Sequence, residues 1–118
     1  MNKVAIVVLA GTQQEDSMGR IVNALMAVKE LKENNDEVQL IFSGLGTTWL
    51  AELSRPEHQL HDTYQAIKEN IAGACGFCAT VYDATDTIKA CGIPILSDYG
   101  TNMSFVKLIS NGFQVITF

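Results

Sequence analysis

Apolar residues change their spacing several times along this chain, and the changes predict strands and helices in alternation. Residues 4–9 form a continuous apolar, largely β-branched run, the pattern of a strand covered on both faces. Met18, Ile21, Val22, Leu25 and Val28 then recur at helical spacing, with Leu31 one turn on. They predict a helix over Ser17–Glu33, with Asp16 or Ser17 as its N-cap and Asn34-Asn35 as its stop. Val38, Leu40, Ile41 and Phe42 mark a second strand over residues 37–43.

Gly44-Leu45-Gly46 reads as the turn that follows. Trp49, Leu50 and Leu53 predict a short helix that ends before Pro56. Leu60, Tyr64, Ile67 and Ile71 have the spacing of another helix. Ile71–Cys75 is a weak strand by propensity, assigned because the alternation needs one there. Residues 78–91 read as one helix stopped by Gly92, residues 93–97 as a strand, residues 102–110 as a helix and residues 113–118 as the last strand. Five strands joined by helical crossovers predict an α/β fold, with a five-stranded parallel sheet covered on both faces.

The chain has 118 residues, which at roughly 100–200 residues per domain is one domain, residues 1–118. Apolar residues make up 47%, enough for a core that needs neither disulfide nor metal to form. Eight basic against thirteen acidic residues give a net charge of −5, and no Lys/Arg cluster occurs. Nucleic acid and anionic membrane surfaces are therefore not expected partners. No apolar run reaches the roughly 18–20 residues that span a bilayer. The opening ten residues resemble a short signal peptide, but a helical pattern follows them where a cleavage site would lie, so a strand is the better reading. A cytoplasmic, reduced protein is the expectation, and there a close cysteine pair is more often metal-binding or redox-active than structural.

In open parallel sheets, ligands bind beyond the carboxyl ends of the strands. That edge should collect Gly11-Thr12-Gln13-Gln14, residues 44–48, residues 75–78 and residues 98–102. Cys75-Gly76-Phe77-Cys78 is the sharpest signal among them. A helix start there would stabilise a thiolate, and the two-residue spacing allows a disulfide. Cys91, at the far end of a continuous helix, would lie roughly 20 Å from Cys78 and reads as a small buried apolar residue. A zinc site would need Cys75 and Cys78 to recruit His58 or His61, and it ranks last. Gly11, Thr12, Gly44 and Gly46 lack the GxGxxG and Walker patterns, so they serve as tight turns or hold a small anion on backbone amides. Asp98 would orient a thiol or a water, or else serve as a turn residue.

This layout resembles the DsrE/DsrF-like family of small sulfur-relay proteins. The likeness rests on the opening strand, the helix Ser17–Glu33, the second strand, a cysteine closing the third strand, and the ending from Lys107 to Phe118. It covers nearly the whole chain. The resemblance implies a three-layer α/β/α domain that assembles into homotrimers, hexamers or related hetero-oligomers. It also implies that Cys75 accepts sulfane sulfur as a persulfide from a donor protein and passes it to an acceptor. Cys78 departs from the family's single-cysteine pattern and would resolve a persulfide by disulfide formation. Two functions follow as expectations. One is sulfur carriage or dithiol exchange through Cys75 and Cys78, with no cofactor. The other is an oligomeric small-ligand-binding protein that uses the Gly11 and Gly44 loops, with its thiols only packing.

Overall fold

In the computed structural model of the protein, which describes residues 1–118, five parallel strands form one sheet in the order β4-β3-β2-β1-β5. The strands are β1 (Lys3–Val8), β2 (Glu37–Phe42), β3 (Ile71–Cys75), β4 (Ile95–Leu96) and β5 (Gln114–Thr117). The helices are α1 (Ser17–Glu33), α2 (Trp49–Leu53), α3 (His61–Ile67), α4 (Gly76–Val81), α5 (Thr85–Ala90) and α6 (Phe105–Ser110). This is the expected α/β fold with helices on both faces. No helix is long and apolar enough to cross a membrane.

The chain steps sideways from β1 to β2, β3 and β4, then returns across the sheet to place β5 on the other side of β1. Right-handed crossovers put connections of opposite direction on opposite faces. Helices α1 to α5 accordingly pack on one face, in a core that includes Leu25, Phe42, Leu50, Tyr64 and Ile88. Only α6 covers the other face, where Leu108 joins Ala5, Val7, Ile41, Cys75, Met103 and Phe113.

Strand alternation assigns the faces. Val4, Ile6 and Val8 of β1 join the large core, whereas Ala5 and Val7 join the small one. In β3 the alternation slips. Leu40 pairs with Ile71 but Ile41 pairs with Gly73, so Ala72 is an extra residue, as in a β-bulge. Without the slip Cys75 would share the face of Ile71, in the large core. With it, Ala74 joins that core and Cys75 turns to the α6 face.

Several boundaries differ from the sequence reading. Residues 78–91 are two helices rather than one, separated at Tyr82, Asp83 and Ala84. Asp83 takes a left-handed φ of 54°, a conformation that Asp tolerates better than most residues, and the chain turns so that buried Ala84 and Ile88 reach the large core. The helix over residues 102–110 begins only at Phe105. Ser104 caps it by accepting from the Lys107 amide at 3.1 Å, which leaves Asn102 and Met103 free to face the sheet. Asp16 occupies the N-cap position of α1 but makes no capping hydrogen bond; it pairs instead with Arg20 at 2.7 Å. At the other end Asn35 is left-handed, with φ 61°, as its place in the predicted stop requires.

Candidate functional site

β3 and β4 are neighbours whose chains leave the sheet in opposite directions. After Cys75 the chain enters α4, whose Ala79 packs in the large core; after Leu96 it runs to α6 on the other face. Diverging connections open a crevice at the carboxyl ends of such strands. Cys75 closes β3 at that crevice, and the loop after β4 folds over it.

Gly76 makes the fold-over possible. A Cβ on Gly76 would lie 2.8 Å from the Thr101 carbonyl oxygen and 3.0 Å from the Ile95 side chain. The Phe77 amide donates to the same Thr101 oxygen at 2.7 Å. Tyr99 and Asn102 exchange two backbone hydrogen bonds of 2.9 Å across a tight turn at Gly100, whose φ is +61°. Asn102 is thereby held over Cys75.

The Cys75 thiol donates to Asn102 Oδ1 at 3.0 Å. The other end of that amide is committed, because Asn102 Nδ2 donates to the Met103 carbonyl at 2.9 Å. The Met103 amide donates to Cys75 Sγ at 3.5 Å. Ser43, which follows β2, brings its hydroxyl to 3.6 Å from Cys78 Sγ. Burial pushes the Cys75 thiol pKa up and is the largest single influence on it. Hydrogen bonds from the Cys78 amide, the Met103 amide, the Cys78 thiol and the Ser43 hydroxyl together outweigh burial, so the pKa lies below the ordinary thiol value. Asn102 serves the neutral thiol, and these four groups serve the thiolate.

The stabilisation differs from the one the sequence suggests. α4 has only six residues, so its dipole is small, and individual donors hold the sulfur instead. Cys75 is 0% exposed, whereas Cys78 is partly exposed, and both are free thiols. Cys91 caps the end of α5, the second of the two helices, and not the far end of a continuous one. It packs against the large core, with Sγ 3.9 Å from the Leu50 carbonyl oxygen.

The glycine loops lie at the same edge but serve each other. A Cβ on Gly11 would lie 2.8 Å from Leu45 Cβ, and one on Gly46 would lie 2.1 Å from the Val8 carbonyl oxygen. Gly44 has a φ of +55°. Trp49 Nε1 donates to the Ala10 carbonyl at 3.1 Å and ties the two loops together. Thr12 is partly buried and its hydroxyl accepts from neighbouring Gln13 Nε2 at 3.1 Å. Asp98 is away from the thiol cluster in its contacts: it pairs with Lys107 at 3.2 Å at the mouth of a groove of about 200 Å³ floored by Ile41, Ala72 and Leu96. His58 Nδ1 accepts from the Leu60 amide at 3.0 Å, and His61 Nδ1 lies 2.8 Å from the Leu53 carbonyl oxygen. No three His, Cys, Asp or Glu side chains gather as a metal would require.

The sequence motif includes Gly76 only as a spacer, and Ser43, Asn102 and Met103 carry no sequence signal of their place here. Asn102 stood within the loop expected at this edge, but nothing local in the sequence distinguishes it. The glycine between the two cysteines was the one available hint of a close approach.

The chain matches no model of a known protein family. It is 25% identical over 104 residues to an uncharacterized protein of Methanocaldococcus jannaschii, covering 88% of this chain and 84% of that protein. Its fold is similar to that of a conserved protein of unknown function from Bacteroides thetaiotaomicron, with a TM-score of 0.62 and 14% identity over 97% of this chain and 94% of the other.

Proposed function

We propose that this protein is a small thiol protein whose Cys75–Cys78 pair carries sulfane sulfur or exchanges a disulfide, in the manner of the DsrE/DsrF-like proteins that its layout resembles. The observation that carries this reading is the set of polar contacts that three separate segments bring to the thiol pair: the Met103 amide and Asn102 side chain before α6 on Cys75 Sγ, and the Ser43 hydroxyl after β2 on Cys78 Sγ in α4. An inert packed cysteine has no need of them, and burial alone would leave the thiol harder to ionise. The crevice between diverging strands is where such folds place their ligands. No cofactor enters the reaction, and the sulfur donor and acceptor are other thiol proteins or small persulfides.

The resemblance also implies self-assembly. α6 is apolar on both sides: Leu108 faces the sheet, while Val106 and Ile109 are 74% and 63% exposed. A helix of this kind is normally covered. A second copy of the chain seated on that side would cover it and would leave the carboxyl edge of the sheet open.

Intact mass under non-reducing conditions, before and after incubation with a persulfide donor, tests the proposed chemistry. A gain of one sulfur, about 32 Da, or a loss of two hydrogens is expected in the native protein and in Cys91→Ser. Neither change should survive in the double variant Cys75→Ser/Cys78→Ser. An unchanged mass in the native protein overturns the reading.

A further inference from the structure

The proposed function leaves open which of the two sulfurs meets the substrate. We infer that Cys78, the second cysteine of the motif, is the entry sulfur, and that Cys75 is the buried resolving thiolate. This rests on the dithiol reading above and assigns the order of its steps. Disulfide exchange needs in-line approach of a sulfur to a sulfur. Cys75 offers no surface for it: its side chain is 0% exposed, Met103 beside it is 2% exposed, and the loop from Tyr99 to Asn102 lies over it. Cys78 is partly exposed at the rim of the same cluster. Ser43 lies beside it, with its hydroxyl 3.6 Å from Cys78 Sγ, and the Cys78 thiol is among the groups that favour the Cys75 thiolate.

Position in α4 suits the second step. Cys75 is the N-cap and Cys78 the third helical residue, and side chains one turn apart stand about 5–6 Å apart at Cβ, a little wider than a disulfide, so a small rotation of the first turn closes it. The substrate is a small disulfide, R–S–S–R. Cys78 Sγ, having given its proton to solvent, attacks one substrate sulfur; the S–S bond breaks and one RS⁻ leaves. Cys75 thiolate then attacks Cys78 Sγ, the second RS⁻ leaves, and the Cys75–Cys78 disulfide remains. The protein loses two electrons and two protons, and the substrate becomes two thiols. An external dithiol restores the reduced pair. Ser43, with its hydroxyl 3.6 Å from Cys78 Sγ, stays beside the pair through both steps.

The order is inverted relative to the expectation that Cys75 is the nucleophile, and the reason is accessibility. The lower pKa of Cys75 makes it available as a thiolate once Cys78 has reacted. It does not bring Cys75 to the surface.

The test uses the full chain in a Cys91→Ser background with dithiodipyridine, whose released pyridinethione is followed by absorbance. The parent should release two equivalents per chain and keep no adduct. Cys75→Ser should release one and hold a stable mixed disulfide at Cys78. Cys78→Ser should react slower by on the order of 100-fold, because its remaining thiol waits for local opening. Peptide mapping of the unsubstituted protein after substoichiometric N-ethylmaleimide, which needs no variant, should place the label on Cys78. Label on Cys75, or fast reaction of Cys78→Ser with a slow Cys75→Ser, overturns the assigned order and leaves the dithiol function standing. No release from the native parent overturns both.

Discussion

One face of the sheet carries five helices over a core of 21 buried residues; the other carries the six residues of α6 over a core of seven. The same strands build both, and their connections make the difference. Three successive crossovers in one direction load the first face, and a single return crossover covers the second. The loaded face holds large, wholly buried side chains such as Phe42, Leu25 and Tyr64. The lighter face holds fewer, and it is the face on which Cys75, Asn102 and Met103 meet. Stability is concentrated on one side and chemistry is placed at the rim of the other, where less packing has to move when a substrate arrives.

Substitutions sharpen this contrast, and the largest effect is expected on the loaded face. Phe42→Ala should cost about 3–5 kcal/mol in denaturant unfolding, because the side chain is wholly buried between the sheet and its helices. Leu108→Ala removes the one side chain that α6 buries, yet should cost only about 2 kcal/mol, at the low end for a leucine, since the lighter face can close over the gap. A Leu108 cost equal to that of Phe42 would break the comparison.

Tyr64→Phe should stabilise the protein by about 1 kcal/mol. The Tyr64 hydroxyl is buried without a hydrogen-bond partner, and burial, with a smaller contribution from Cys91, pushes its pKa up to about 12. A loss of stability would show that this hydroxyl has a partner after all.

The lowered pKa of Cys75 makes stability depend on pH. The folded state prefers the thiolate, so the contribution is fully present above the unfolded-state value of about 8.5 and is lost as pH falls through the lower folded value. Urea melts across that window should show stability rising with pH in the native protein and a flatter profile in Cys75→Ser. Asn102→Asp should narrow the window by setting a carboxylate against the Cys75 thiolate, which flattens the pH profile of the urea melts.

The smallest effect on stability is expected on the outer side of α6. Val106→Ser with Ile109→Ser should change unfolding free energy by less than about 0.5 kcal/mol per site, since both side chains already face solvent. The same pair should lower the mass measured by sedimentation if a second copy covers this side. A native protein that sediments as a monomer would break the assembly expectation.

Much of the architecture was legible along the chain. The spacing of Met18, Ile21, Leu25 and Val28 predicts α1 to its last residue, and the β-branched run of β1 marks a strand buried on both faces. The cysteine motif was legible as a motif. Its setting was not. The apolar spacing of residues 78–91 is compatible with one helix, and nothing local announces the left-handed Asp83 that divides it. Asn102 was hidden because its role depends on a turn at Gly100 and a contact 27 residues away in sequence.

Local spacing and composition therefore determined the elements, their alternation and the α/β class, because periodicity is a property of neighbouring residues. The tertiary structure alone decided which face each residue serves. The extra residue in β3 turns Cys75 from the large core to the small one, and the close approach of Gly76 to Thr101 brings Asn102 and Met103 over it. The accessibility that separates Cys78 from Cys75 was decided the same way, since it depends on which distant segments lie above each sulfur and three residues of sequence carry no record of them.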